Sequence, residues 1–325
     1  MIRRVGIRFL KIAGSAGLVW WLLSRIGLNR IMGLIGEADL LWLAGSFLLF
    51  LASHLLGAVQ WRMLLNAEDI RPPGRKVLDC YFTGLFFNNF LIGGAGGDVY
   101  RMLDMGRQPR KGTSAVSTVV LDRMVGFLVM SGLSVAAIPF ACLRHPFGRA
   151  FWLPFAAMLL GWCFLCFFFF NKRFAKPLTR LIRPFLPAKL QVKMREVYRK
   201  IHAFGRNRRL LLSVAAVSVL VQSARILTHY GVGRSLGVTV PPVFYFLFIP
   251  IIAILATLPL TIGGLGLREQ SGVVLLGLVG VTAVQAVAVE FMAYLVAIGT
   301  SLPGGVSFML KRGSPRVGPN QETIR

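Results

Sequence analysis

The stretch 88-NNFLIGGAGGDVYR-101 decides how this chain is read. It continues an apolar run, yet it holds four glycines, two asparagines, an aspartate and an arginine. Glycine adopts positive φ without a steric cost, so this run permits the tight reversal of a broken helix. Amides freed at such a break form a nest or half-helix end suited to anions. Small residues also let membrane helices approach closely. The sequence leaves both readings open for Gly93, Gly94, Gly96 and Gly97. The neighbouring Asn88, Asn89, Asp98 and Arg101 are the polar groups placed at the break.

Composition says what surrounds this stretch. The 325 residues are 55% hydrophobic and only 15% charged, with a mean hydropathy of +0.67. Soluble domains run near 25% charged, so the balance points to a membrane protein. The formal charge of +25 comes from 37 Lys and Arg against 12 Asp and Glu. These basic residues crowd the ends of apolar runs, as the positive-inside rule expects, which excludes nucleic acid as the partner.

Crossing a bilayer takes roughly 20 apolar residues. The runs predict spans near 9–25, 40–61, 114–141, 151–171, 210–231 and 283–310. The first has no small-residue cleavage site behind it and is read as retained. Two more apolar stretches, 77–96 and 243–267, are interrupted by Gly, Pro or Asn. They are read as re-entrant segments, since irregular backbone at membrane depth survives only beside protein or a watery cavity. The expected fold is therefore an all-α polytopic bundle.

Lys172 to Arg209 holds thirteen Lys or Arg and one acid, Glu196. Leu190, Met194, Val197, Ile201 and Phe204 recur there at helical spacing, the pattern of an amphipathic helix on a membrane surface. Its charge either sets orientation alone or also contacts anionic headgroups. Segment 172–209 and the loop at 62–76 are both expected on the cytoplasmic side of a bacterial inner membrane. So are the N-terminus and the short tail at 311–325.

The chain repeats itself. Pro72–Pro73 precedes IGGAG at Ile92 by 92 − 73 = 19 residues, and Pro241–Pro242 precedes IGGLG at Ile262 by 262 − 242 = 20. AVSTVVLDRM follows the first motif by 115 − 92 = 23 residues, and AVQAVAVEFM follows the second by 283 − 262 = 21. Residues 40–141 thus form a first repeat and 210–310 a second. With the orientation above, the two are inverted, an arrangement found in alternating-access transporters. Gly263, Gly264, Gly266, Arg268 and Glu269 then form the second break.

Several charges lie inside spans. Asp122 and Arg123 sit eight or nine residues into a span, roughly 12–14 Å along the helix. Glu290 takes the matching place in the last span, and Arg225 shares a stripe with Gln222 and His229. Such residues normally face the bundle interior or water. Two readings are open. Asp122 or Glu290 neutralises Arg123 or Arg225 and pins the bundle, or the group forms a path for a charged headgroup or a proton. His54 is read as a satisfied bundle residue.

Chemistry of other kinds finds no support. The sequence has no GxSxG, HExxH or Walker A motif, so no enzyme and no cofactor are expected. The four histidines are scattered, which argues against a metal. Cys163 and Cys166 form a CxxC within a Phe-rich span and are read as apolar packing.

At NNFLIGGAGGDVYR, AVSTVVLDRMVGF and LPLTIGGLGLREQSGVVLLGLVGV the chain resembles the transmembrane domain of lysylphosphatidylglycerol synthases, and the wider flippase-like group that lacks the synthase part. The resemblance runs from about Trp61 to Leu310. It implies lipid translocation, with a role for the glycines, asparagines and charged residues of the two motifs and for Asp122 and Arg123. Only about 15 residues follow the last span (325 − 310), so the aminoacyl-transferase part is expected to be absent. Phe291 stands where the first copy has Arg123, which implies unequal jobs for the two halves. Membrane lipids, with anionic headgroups, are the expected partners. A non-transporting partner of a lipid- or glycan-processing enzyme and an intramembrane transferase are the alternatives.

Overall fold

A computed structural model describes residues 28–90, 95–107, 111–148, 151–170, 188–204, 207–257 and 264–313. Among the described residues the secondary structure is helical, with no strand. The helices are α1 (Leu28–Gly36), α2 (Leu40–Ala67), α3 (Gly74–Phe90), α4 (Gly96–Met105), α5 (Gly112–Cys142) and α6 (Trp152–Phe170). There follow α7 (Ala188–Phe204), α8 (Arg208–Ser235), α9 (Pro242–Thr257), α10 (Leu267–Gly277) and α11 (Ala283–Gly313). The expected span at 9–25 lies outside the described residues.

Four of these helices, α2, α5, α8 and α11, are long and apolar enough to cross a membrane. They bury one side in the bundle and still expose Leu48, Leu55, Leu212, Leu220, Val306 and Met309. A helix that is apolar on all sides needs hydrocarbon as its solvent, so the chain is a multi-pass membrane protein. The segment 151–171 forms α6, whose 19 residues rise roughly 28 Å.

The repeat seen in the sequence is present in the helices. α2 to α5 contain 28, 17, 10 and 31 residues; α8 to α11 contain 28, 16, 11 and 31. The first two members of each set start at a constant offset (208 − 40 and 242 − 74, both 168). Even the caps agree. The Ile70 N–H donates to Leu65 O and the Asp69 N–H to Asn66 O, at 2.9 and 3.1 Å. At the same offset, Val238 N–H donates to Gly233 O and Gly237 N–H to Arg234 O, also at 2.9 and 3.1 Å. Both ends are Schellman motifs with a left-handed residue, Asp69 (φ 55) or Gly237 (φ 73), satisfying the last carbonyls of the helix.

The halves are inverted. α2 and α8 hold the first place in each set and pack along each other. The Asp39 N–H donates to Ser235 O at 2.8 Å, and Trp42 meets Tyr230 edge-on at 6.1 Å. At the other end Leu64 and Val214 share one buried cluster. The start of α2 therefore lies beside the end of α8, and the two run antiparallel. A two-fold relation between the halves brings equivalent helices together in this sense.

Each interrupted segment is a helical hairpin. In the first, α3 and α4 touch at Gly84 and Gly97, where a Cβ on Gly97 would fall 1.7 Å from the Gly84 carbonyl oxygen. The chain then returns to the end it left, because Lys111 Nζ donates to Glu68 O at 3.2 Å. In the second, the turn between α9 and α10 uses Gly264 (φ 77) and Gly266 (φ 83). The hairpins are exchanged. α3 docks on α11 through Thr83 Oγ1 to Gly304 O at 3.2 Å and Ser307 Oγ to Asp79. Reciprocally, α9 docks on α5 through Ser134 Oγ to Leu247 O at 2.7 Å.

The basic connector folds as expected in its described part. Ile201 and Phe204 of α7 enter the cluster with Leu64, Leu121 and Val214, while Lys200 pairs with Glu68. Two basic segments, the loop after α2 and α7, are thus at one end of the bundle, with Val192 and Met194 left exposed.

Candidate functional site

Where α4 meets α5, four charges close on themselves. α4 is held against α3 by the Gly97 N–H, which donates to Asn88 Oδ1 at 2.8 Å. This turns Asp98 and Arg101, three residues apart on one face, toward α5. Arg123 grips Asp98 with two parallel bonds, Nε to Oδ2 at 2.8 Å and Nη2 to Oδ1 at 2.9 Å. Arg101 Nη2 reaches Asp122 Oδ2 at 2.8 Å, and its Nη1 lies 3.6 Å from Asp98. Gln60 Nε2 of α2 donates to the remaining Asp122 oxygen at 2.9 Å. Below, the Arg101 guanidinium lies 4.1 Å over the Trp61 ring and 4.8 Å over Tyr81. Two acids and two bases leave the quartet neutral, and in a low-dielectric interior that balance is what makes its burial tolerable.

This geometry corrects the expected roles of Arg101 and Asp122. Arg101 retains 4% exposure and spends its charge on two carboxylates, so it is a structural tie rather than a free partner for a phosphate. Asp122 neutralises Arg101, while its neighbour Arg123 turns to Asp98. The crossing follows from the helix: adjacent residues point about 100° apart and cannot serve the same partner. Arg123 keeps 40% of its side-chain exposure even so.

The glycines divide by role. Gly97 is a close-packing residue, as its contact with Gly84 shows. Gly96 opens α4, and Gly264 and Gly266 provide positive φ. Gly93, Gly94 and Gly263 lie outside the described residues. The helix starts are also less open to an anion than expected. Asn88 occupies the Gly97 amide, and Glu269 turns back to accept from the Gly266 N–H at 2.6 Å, capping α10. A carboxylate at that helix start already satisfies the dipole. Asn89 ties the first hairpin to α11 through Ala297 O and Ser301 Oγ, at 3.1 and 3.0 Å. Arg268 stacks 5.0 Å over Tyr294, whose hydroxyl donates to Asn89 O at 3.2 Å.

Arg225 is different. No acidic side chain comes within 4.0 Å of it among the described residues, and its Nη2 has only the Tyr81 hydroxyl at 3.4 Å. Its Nε is buried without a partner, as are Gln222 Oε1, one helical turn away, Gln60 Oε1 and His54 Nδ1. His54 faces this group from α2, within electrostatic reach of Arg225. Gln222 lies against α5, where a Cβ on Gly126 would fall 2.9 Å from its Nε2. A cation and several unmet amide and imidazole groups thus lie on α2 and α8, with Arg225 against Tyr81 of α3 and Gln222 against Gly126 of α5. Each unmet buried polar group costs free energy until something bonds it.

Sequence reasoning missed Gln60, Trp61 and Tyr81, and undervalued His54. Gln60 was the available signal, a carboxamide in the middle of an apolar run. Glu290 pairs with neither Arg123 nor Arg225 among the described contacts; it faces His229.

The sequence also matches known proteins. The family described as Lysylphosphatidylglycerol synthase TM region matches residues 8–304. A UPF0104 membrane protein of Pyrococcus horikoshii is 25% identical over 319 residues, covering 91% of this chain and 93% of its own.

Proposed function

Since the chain belongs to the lysylphosphatidylglycerol synthase TM region family, we propose that it moves a lipid with a polar or anionic headgroup between the leaflets of the bacterial inner membrane. The observation that carries this reading is Arg225, a half-buried guanidinium with no carboxylate within 4.0 Å among the described residues, in a bundle that also leaves groups of Gln60, Gln222 and His54 unmet. A phosphate headgroup supplies acceptors for the guanidinium and partners for the amides at once. Arg123, held by Asp98, keeps part of its side chain accessible. The acyl tails stay in hydrocarbon throughout, which avoids wetting them.

The inverted halves fit this task. Each hairpin enters from one end and docks on the fourth helix of the other half. Release of one dock at a time opens the polar group to one side only, the logic of alternating access. The basic end, with α7 and the loop after α2, is the cytoplasmic one by the positive-inside rule.

The test is lipid translocation by the purified chain in liposomes carrying NBD-labelled phosphatidylglycerol, followed by quenching of outer-leaflet dye. The wild type exceeds empty vesicles. Arg225→Gln slows it roughly 10- to 100-fold, since one hydrogen bond to a charged group contributes about 1.5–3 kcal/mol. A wild type no faster than empty vesicles defeats the proposal in favour of a non-transporting partner. Full activity in Arg225→Gln defeats the assignment of the site.

A further inference from the structure

Glu290 is fully buried, at 0% exposure, and neither carboxyl oxygen has a hydrogen-bond partner among the described residues. Facing it is His229 of α8, whose Nδ1 lies 3.4 Å from Glu290 Oε1 and has no hydrogen-bond partner among the described residues. The first half shows what a permanent solution looks like. There the sixth residue of α4, Arg101, is the counter-charge for the acid on α5. In the second half the sixth residue of α10 is Gly272, and a Cβ there would fall 2.9 Å from Glu290 Cγ. No cation stands at that position, where Glu290 packs directly on the glycine, and the imidazole of His229 comes from another helix.

From these contacts we propose that His229 and Glu290 form a proton-binding site, and that the proton it holds is the coupling ion for movement of the lipid; the coupling rests on the translocation reading. A lone carboxylate buried there, without a donor among the described residues, is costly. With one proton the pair is net neutral, either as carboxylic acid beside imidazole or as carboxylate beside imidazolium. The proton moves along the 3.4 Å line between Nδ1 and Oε1, and no other bond changes. It can leave only to water. Water reaches Glu290 when α10 separates from α11, because Gly272 is the lid over its side chain. Opening of the second hairpin therefore lets the proton exchange.

Other ionisable groups of the surrounding helices make contacts of their own, except Arg225, one turn before His229 on α8, which comes within 4.0 Å of no acidic side chain among the described residues. From α10, Glu269 lies within electrostatic reach of Glu290 but is engaged as the cap on Gly266, and Arg268 stacks on Tyr294. From α9, Tyr245 comes within reach, its hydroxyl crowding Gly233. Arg234 of α8 lies 5.7 Å over Trp42. On α2, His54 sits edge-on to Phe50, and on α3, Asp79 is taken by Ser307. Glu37, after α1, is exposed.

Two readouts test this on the full chain in liposomes. The first is pH-titrated infrared difference spectroscopy, which resolves a protonated carboxyl from a carboxylate. The wild type shows a titrating acid band that Glu290→Gln removes, and that His229→Asn displaces along the pH axis. The second measures the leaflet distribution of NBD-labelled phosphatidylglycerol under a pH difference, with the membrane potential clamped by valinomycin and equal potassium. One coupled proton biases the distribution by up to about tenfold per pH unit. Glu290→Gln and His229→Asn lose the bias and still equilibrate the probe. Equilibration by the wild type without any bias overturns the coupling and leaves translocation standing. Absence of movement by the wild type overturns translocation and coupling together. The proton site itself then stands or falls on the infrared band, and a band unchanged by Glu290→Gln overturns it.

Discussion

Arg101→Met removes the tie at the centre of the first hairpin while keeping most of its apolar volume. The structure gives the size of the effect. The side chains of Arg101 and Asp122 are 5% and 10% exposed, so the pair is largely withdrawn from solvent. Without Arg101, Asp122 keeps only Gln60, and the set of Asp98, Asp122 and Arg123 carries a net charge of −1 in the bundle. Breaking one side of a buried pair costs about 3–5 kcal/mol. The stack on Trp61 is lost in the same change, which places the effect toward the upper end of that range. Unfolding in mixed micelles of increasing SDS fraction, followed by circular dichroism, reads this as a lower midpoint at unchanged slope. The double variant Arg101→Met/Asp122→Asn restores neutrality and recovers most of the loss, since replacing both members of a buried pair is often neutral. The reasoning is refuted if Arg101→Met is within ~1 kcal/mol of wild type, or if the second change brings no recovery.

Three further changes probe the packing and the repeat. Gly304→Ala puts a Cβ 2.1 Å from the Phe82 carbonyl oxygen, a backbone atom that cannot swing aside, so α3 must lift from α11. It lowers stability by about 1–3 kcal/mol in the same unfolding assay. Gly237→Val forces a β-branched residue into the left-handed region at φ 73 and costs about 1–2 kcal/mol or more. Asp69→Gly gives the first cap the residue the second cap already has, and raises stability by up to ~1 kcal/mol. What Asp69 gives up is a 3.4 Å contact with Arg71 between side chains about three-quarters exposed, which contributes little.

Much of the fold was written at the level of periodicity and punctuation. Long apolar runs gave the spans, glycine and proline gave the two hairpins, and the IGGxG and AVxxxxxxxM pairs gave the repeat. The apolar spacing Leu190, Met194, Val197, Ile201, Phe204 gave α7, whose last two members are buried with Val197 packed against their cluster. The candidate site was less legible because its pairings depend on docking. Asp98, Arg101, Asp122 and Arg123 all stood out as charges in apolar surroundings, but which acid meets which base is set by how α4 lies on α5. The close packing at Gly97, where a Cβ would fall 1.7 Å from the Gly84 carbonyl oxygen, fixes that, and nothing in the local sequence reports Gly84 as its partner. Arg101 looked free for a ligand for the same reason. Arg225 gained its importance only when its lack of a carboxylate became visible. The difference between the halves was half-legible: Phe291 in place of Arg123 signalled it, whereas Gly272 in place of Arg101 needed the helix starts to align.

The measurement that bears most directly on the central claim is side-specific labelling of Arg71→Cys and Thr239→Cys, in a background with the native cysteines replaced. Both positions are exposed, both follow the left-handed cap, and they are equivalent at the offset of 168 (239 − 71). Two mirrored halves place them on opposite faces of the membrane. An impermeant maleimide applied to sealed right-side-out vesicles should modify Thr239→Cys and spare Arg71→Cys until the vesicles are opened. Equal modification of both from one side contradicts the inverted arrangement, and with it a polar passage opened by turns from each face.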